Sequence, residues 1–434
     1  MADQRLIGAV HPWADTRRMV RNFEHRANPR RFLEWHLSGQ SSRRHCLSQR
    51  LLAFDPVGVL FALPSETRNF LPLQRQIACR GILTVPQQLV GIIAAFIMRG
   101  KRELLAKLCT VAGFTAVCEQ WRKRPALIVL NYHRIGDSAK TQYDPGVFSA
   151  TAEGFAWQIR YLKQHFEIAT LDDAVAMINR ERSLQPSVLI TFDDGYLDNY
   201  EIAFPILRDA GVPATFFLPT AFVGSNRLPW WDLIAYIVKN GKSNRIRLSY
   251  PHVLELDLTR QSRAAAAVDV LRAYKHPDMQ DHDRFIGELL QASESGLPTA
   301  GSEVCFLNWQ QAREMQAAGM TFGSHTHNHE VLSKLSAERQ HEELKYSREI
   351  LERELNCRIT TLAYPVGGGH AFSRSTQEIA RRCGYRSAFS FYGGFNLPAE
   401  IQPYDVRRFG LEGQSHPRFR LQMALGSASG TTWV

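Results

Sequence analysis

No Cys-x-x-Cys pair occurs in this 434-residue chain. Its seven cysteines, Cys46, Cys79, Cys109, Cys118, Cys305, Cys357 and Cys383, are scattered and odd in number. That pattern argues against a zinc ribbon or a disulfide framework and fits a reducing compartment. Long apolar runs are missing too. The strongest, Leu89–Met98, falls well short of the roughly 20 residues a membrane span requires. It lies far from Met1 and lacks a small-residue cleavage site, so it does not read as a signal peptide. Lysine is absent from residues 1–97, where 13 Arg against 6 acids leave +7 of the chain's formal +10. The remainder is close to neutral, which removes the basis for a nucleic-acid partner.

Residues 1–97 show no sustained helical or alternating period. They read as an N-terminal extension, poorly ordered or loosely attached, and one expectation is a natural start near Met98. In 98–124, Leu104, Leu105, Leu108, Val111, Phe114, Val117 and Trp121 recur at spacings of three and four. They predict an amphipathic helix ringed by Lys101, Arg102, Lys107, Arg122, Lys123 and Arg124. A basic helix of this kind suits docking on its own domain, the commoner arrangement, or peripheral contact with an anionic membrane surface. With no export signal legible, the expected location is the cytoplasm, with peripheral contact at the inner membrane.

Beyond Pro125 the apolar runs become strand-like. Ala126–Leu130 and Val188–Phe192 are continuous, the pattern of strands buried on both faces. The first runs into Asn131, Tyr132, His133 and Arg134, the second into Asp193, Asp194 and Gly195. Helical patterns over 148–165, 171–180 and 200–210 and a further strand in 213–219 predict parallel strands with right-handed crossovers. Ligands and catalytic groups gather at the carboxyl ends of such strands. Successive residues of an extended chain point to opposite sides, so Asp193 and Asp194 are expected to take different tasks. The plainer reading of this pair alone is a helix N-cap beside a solvated acid. At 225–304 the alternation breaks into a mostly helical insertion with no clear strand, packed over one edge of the strand-and-helix core. Its Trp230-Trp231 pair reads by default as a buried anchor, with sugar stacking as the alternative.

A third polar cluster follows a helical pattern over 309–318: Met320–Gly323 leads into Ser324-His325-Thr326-His327-Asn328-His329. If this segment turns helical, His325 and His329 share a face. Two imidazoles plus a carboxylate, with a position left open, have the layout of catalytic zinc. An adjacent second carboxylate would then serve as base.

Thr191-Phe192-Asp193-Asp194-Gly195 followed by His325-Thr326-x-x-His329 resembles the first two motifs of the polysaccharide deacetylase (NodB homology) family, carbohydrate esterase family 4. The resemblance covers roughly residues 125–411 outside the insertion. It implies an α/β fold, a distorted (β/α)7 barrel within 125–434. It also implies Asp193 as general base and Asp194, His325 and His329 as ligands of a divalent metal, expected to be zinc. His327 falls at a variable position of the motif. Ala363-Tyr364-Pro365-Val366-Gly367 stands where the family often has Arg-x-Pro-Tyr-Gly, so the usual arginine is missing. The Val366 amide keeps the oxyanion-stabilising place, because a main-chain donor is indifferent to side chain.

The family's late Leu-x-Leu-His motif is also missing after Phe409. In this the chain resembles the subgroup acting on exopolysaccharides and poly-N-acetylglucosamine, which implies His133 as the catalytic acid. Arg408 is the candidate to replace the missing arginine beside Asp193. The expected function is metal-dependent removal of N-acetyl groups from an amino-sugar-containing poly- or oligosaccharide. Two other classes stand beside it: a non-catalytic glycan-binding or scaffold protein of polysaccharide biosynthesis, and a non-haem iron site of two histidines and a carboxylate, which has no need of the second Asp.

Overall fold

The computed structural model describes residues 125–298, 305–411 and 415–425. The expected extension at 1–97 and helix at 98–124 lie outside them. The strands are β1 (Leu127–Tyr132), β2 (Arg134–Ile135), β3 (Phe148–Ala150), β4 (Glu167–Ile168), β5 (Ser187–Phe192), β6 (Thr215–Leu218), β7 (Arg245–Leu248), β8 (Leu254–Asp257), β9 (Thr321–Ser324), β10 (Thr361–Ala363), β11 (Ser387–Phe389) and β12 (Phe409–Gly410). The helices are α1 (Ala152–His165), α2 (Leu171–Ile178), α3 (Phe204–Ala210), α4 (Trp230–Asn240), α5 (Arg263–Lys275), α6 (His282–Ser293), α7 (Trp309–Ala317), α8 (Ala337–Leu355), α9 (Arg374–Arg382) and α10 (His416–Leu425).

β1 and β5 are buried along their whole length, and they pair in parallel from Leu127–Ser187 to Tyr132–Phe192. Around them runs one parallel sheet in the order β11, β10, β9, β6, β5, β1, β12, with β4 paired beside β5. A parallel bridge between Phe389 and Val406 joins the end of β11 to the segment entering β12. The sheet therefore curls into the distorted (β/α)7 barrel that the resemblance implies. Alternation divides the core. Ile128, Leu130, Tyr132, Val188, Ile190 and Phe192 pack against Phe155, Ile159 and Leu162 of α1 and Leu207 of α3. Leu127, Val129 and Leu189 instead cluster with Phe217, Ala363, Phe389 and Val406 inside the curl. Fully burying each such side chain stabilises the fold by about 1.5–3 kcal/mol. One position further along the inward row the residues turn polar: Asn131 on β1 and Thr191 on β5, both fully buried.

Local signals set the helix ends. Thr170 caps α2 by accepting from the Asp173 amide, with Asp172 and Asp173 in the first turn, and Gly211, at φ 62, closes α3. Two expectations are revised. Phe148–Ala150, expected in a helix, forms β3 against β2, and α1 begins only after its Thr151 cap. The insertion holds three helices, α4 to α6, as its pattern suggested, but also an antiparallel hairpin of β7 and β8. Arg245-Ile246-Arg247-Leu248 alternates exposed and buried along that hairpin. Trp231, Ile234, Ile246, Val270, Phe285 and Leu289 give the insertion a core of its own.

Candidate active site

Where β5 ends, the chain reverses. Asp194 has φ 71 and Gly195 φ 69; a Cβ on Gly195 would come within 2.6 Å of Leu218 Cδ2, so only glycine fits there. This left-handed step cancels the strand alternation that would send the two carboxylates apart. Asp193 Oδ2 lies 3.8 Å and Asp194 Oδ1 3.5 Å from His325 Nε2.

Asp193 is anchored from two sides, by Asn131 of β1 and by Arg408 just before β12. Arg408 Nη1 and Nη2 donate to its two oxygens at 2.8 Å each, and Asn131 Nδ2 donates to Oδ2 at 2.9 Å. The guanidinium is fully buried and is itself held by Ser390 O and Asn131 Oδ1. The rings of Phe217, Phe389 and Phe391 surround it. Burial works to raise the Asp193 carboxyl, but the charge of Arg408, with His325 and the Arg408 hydrogen bonds, holds it far below the usual carboxylate range. Asp193 is thus held as a carboxylate in the resting site and fixed in one orientation.

The two histidines approach from β9. His325 Nδ1 donates to Ala363 O at 2.8 Å, which leaves the Nε2 lone pair turned toward the carboxylates. Burial brings its pKa down to about 4, so the ring is neutral near pH 7. His329 Nε2 sits 3.2 Å from Asp194 Oδ1, yet Asp194 Oδ1 and His329 Nδ1 are buried with no hydrogen-bond partner. The expected helical turn at this place is not what joins the two imidazoles. Residues 325–331 form a loop, with Thr326 at φ 66 and His329 at φ 57. One potential ligand atom from each of Asp194, His325 and His329 lies within 4.8 Å of the others. An unsatisfied carboxylate oxygen beside two imidazoles, all buried, is a donor set suited to a divalent cation. His327 faces elsewhere, bonded to Thr220 Oγ1 at 2.8 Å through Nδ1 and stacked edge-on with Tyr346.

These groups open on a cleft that His133, Val366, Tyr364 and Phe391 also line. Of these, His133 directly follows β1. Its ring lies 5.7 Å from that of Phe391. Val366 has φ 64, a costly conformation for a β-branched residue. It is fixed by the bond from Phe391 N to the next carbonyl, Gly367 O, at 2.7 Å.

His133, Asp193, Asp194, His325, His329 and Val366 therefore border one cleft, with Arg408 buried behind Asp193, and further residues join them to which the sequence assigned no task in the chemistry. Asn131 stands at the expected strand end; its signal was its place two residues before His133. Trp230 and Trp231 line the cleft too, the pair read from sequence as a buried anchor or a sugar-stacking surface, while Lys275 of the insertion and Asp144 from the loop before β3 gave no signal. Trp231 packs its ring 4.4 Å from that of His329. Its Nε1 donates to Tyr196 OH at 2.6 Å, and that hydroxyl donates to the buried Asp232 at 3.0 Å.

A curled parallel barrel with an Asp-Asp pair and two histidines at its strand ends defines a deacetylase-type domain. Residues 180–388 match the family model for polysaccharide deacetylase, so this part of the chain is a polysaccharide deacetylase domain. It is 22% identical over 267 residues to YxkH of Bacillus subtilis, named as a candidate polysaccharide deacetylase; the match covers 61% of this chain and 64% of that protein. It is 31% identical over 123 residues to the poly-beta-1,6-N-acetyl-D-glucosamine N-deacetylase of Staphylococcus aureus, covering 26% of this chain and 42% of that protein. The chain thus spans less than two thirds of the length of either relative. Among solved structures, the deacetylase PplD of Streptococcus pyogenes in complex with acetate superposes with a TM-score of 0.45 at 20% identity, covering 68% of this chain and 97% of that one.

Proposed function

We propose that this protein is a metal-dependent hydrolase that removes N-acetyl groups from an amino-sugar-containing poly- or oligosaccharide. The observation that carries the reading is the convergence of Asp194, His325 and His329 within one ligand-sized cluster, beside an Asp193 whose two oxygens Arg408 grips. A divalent ion held by those three, zinc by its donor types, would polarise an acetamido carbonyl and acidify a water.

Everything else belongs to the chain's own side chains and one backbone amide. Asp193 accepts the proton of the attacking water; Arg408 and Asn131 keep it ionised and correctly turned. As the carbonyl carbon becomes tetrahedral, the Val366 N–H donates to the developing oxyanion, a role the Val366-Gly367 turn supports by fixing that amide at the cleft. His133, on the same cleft, gives a proton to the departing nitrogen, and the carbon–nitrogen bond breaks to yield acetate and a free amine. Trp230, Trp231 and Lys275 form the facing wall, suited to the ring of a sugar by its aromatic character. The name of the Staphylococcus aureus relative makes β-1,6-linked N-acetylglucosamine the first glycan to try.

Acetate release from N-acetylated oligosaccharides, with and without a chelator, tests the reading. Release that chelation abolishes and added Zn2+ restores is the expected result. Glycan binding without acetate under all metal conditions would replace the hydrolase with a non-catalytic glycan-binding protein.

A further inference from the structure

The loop that carries His325 and His329 is held in a shape that its sequence does not favour by itself. Thr326 and His329 are both left-handed, at a cost that neighbouring contacts must offset. On one side the end of β6 supplies them: Thr220 N donates to Thr326 O at 3.2 Å and Ala221 N to His327 O at 2.9 Å. On the other side stands Glu343 of α8, 3% exposed and used by none of the chemistry above. Its Oε2 accepts the successive amides of His327, at 3.0 Å, and Asn328, at 2.7 Å, while Oε1 accepts Asn328 Nδ2 at 2.7 Å. Consecutive amides turned toward one anion make a concave site for it, and bonds to an ionised acceptor are among the stronger ones. A carboxylate buried this deeply without donors is costly, and so is a loop whose amides point inward with no acceptor. Each therefore stabilises the other.

We propose that Glu343 is a positioning residue: by clamping the His327 and Asn328 amides it keeps the loop in the left-handed form that turns both imidazoles toward Asp194. The inference rests on the reading of Asp194, His325 and His329 as ligands of one ion. Loss of an outer partner of metal ligands typically weakens affinity by about 10- to 100-fold.

The test uses the whole protein stripped of metal, with Zn2+ affinity measured by competition against a chromophoric chelator. Hydrogen exchange of the His327 and Asn328 amides is followed on the metal-free form. For Glu343→Ala, affinity should fall by about 10- to 100-fold and the two amides should exchange faster while those of β1 and β5 keep their protection. Glu343→Gln keeps one oxygen for the paired amides and should fall between that variant and the wild type. It also carries both measurements should the alanine variant not fold. Glu342→Ala, on the exposed face of the same helix, should match the wild type. Wild-type affinity and unchanged exchange in both Glu343 variants would overturn the proposal. A wild-type protein that binds no divalent ion would sink the metal reading by itself, and the exchange measurement would still decide whether Glu343 shapes the loop.

Discussion

In the barrel, the groups at the cleft are set by backbone direction: an inward row runs Leu127, Val129, Asn131 on β1 and Leu189, Thr191, Asp193 from β5, apolar first and polar at the carboxyl end. In the insertion, the groups at the same cleft arrive by packing. α4 and α5 fold around a separate core and present Trp230, Trp231 and Lys275 from outside the sheet. Side chains fixed by strand pairing can hold a reacting geometry to a fraction of an ångström. Side chains on an added layer can change without dismantling the sheet, which is where substrate choice is most easily varied. The proposed chemistry would therefore rest on the barrel, and a proposed choice of glycan on the insertion.

Substitutions can break this division. The largest effect is expected in the barrel: Asp193→Asn should lower kcat by about a hundred- to ten-thousandfold while bound metal, measured by elemental analysis, stays at the wild-type level. Arg408→Met comes next. Removing one partner of a buried ion pair costs about 3–5 kcal/mol, so urea denaturation should show a loss of that size. What folded protein remains should need a higher pH for activity, because the Asp193 carboxyl loses the charge that held it down. His133→Ala should reduce kcat by about a hundredfold with little change in KM.

For the insertion the expected signature is different and smaller. Lys275→Met should raise KM for an oligosaccharide by up to about tenfold, a loss of about 1.4 kcal/mol in binding, with kcat nearly unchanged. An equal fall in kcat would show that the insertion shares in the chemistry and would erase the distinction.

A pH experiment sharpens the comparison further. Burial raises the Asp232 carboxyl from its ordinary 3.8 to about 7, with Asp144 adding to the rise and the Tyr196 and Asp144 N–H bonds and Arg134 opposing it. Its folded value lies above its unfolded one, so between these values the native state holds a proton that the unfolded chain has released. Stability from this group is thus present at low pH and lost as pH climbs toward 7. Asp232→Asn should flatten that part of the stability profile, read as Tm against pH. An unchanged slope would remove Asp232 from the account.

The sequence was most legible where chemistry and strand pattern coincide. Two apolar runs ending in polar residues located β1 and β5, and the Asp-Asp-Gly and His-Thr-x-x-His spacings identified residues that the fold brings together. What remained hidden depended on backbone sign and on distance along the chain. The left-handed residues Asp194, Thr326 and His329 carry side chains that do not announce a positive φ as glycine does. The helical turn expected between the two histidines was therefore a loop. Asn131 was noted at its strand end but not given a task, since its partner Arg408 lies 277 residues away. The β7–β8 hairpin is a different case: its period-two alternation was written in Arg245–Leu248, but the charged, helix-rich surroundings masked it.

β12, which follows Arg408, takes its place beside β1, and Arg408 follows Asp193 by 215 residues. A ribosome thus makes both acids and both histidines well before it makes the guanidinium that lets one of those acids stay charged in the interior. A nascent chain would carry an uncompensated anion in a half-closed cylinder, and the proposed reaction would have to wait for the final strand to dock. The proposed activity would thus depend on the segment that brings Arg408 to β1.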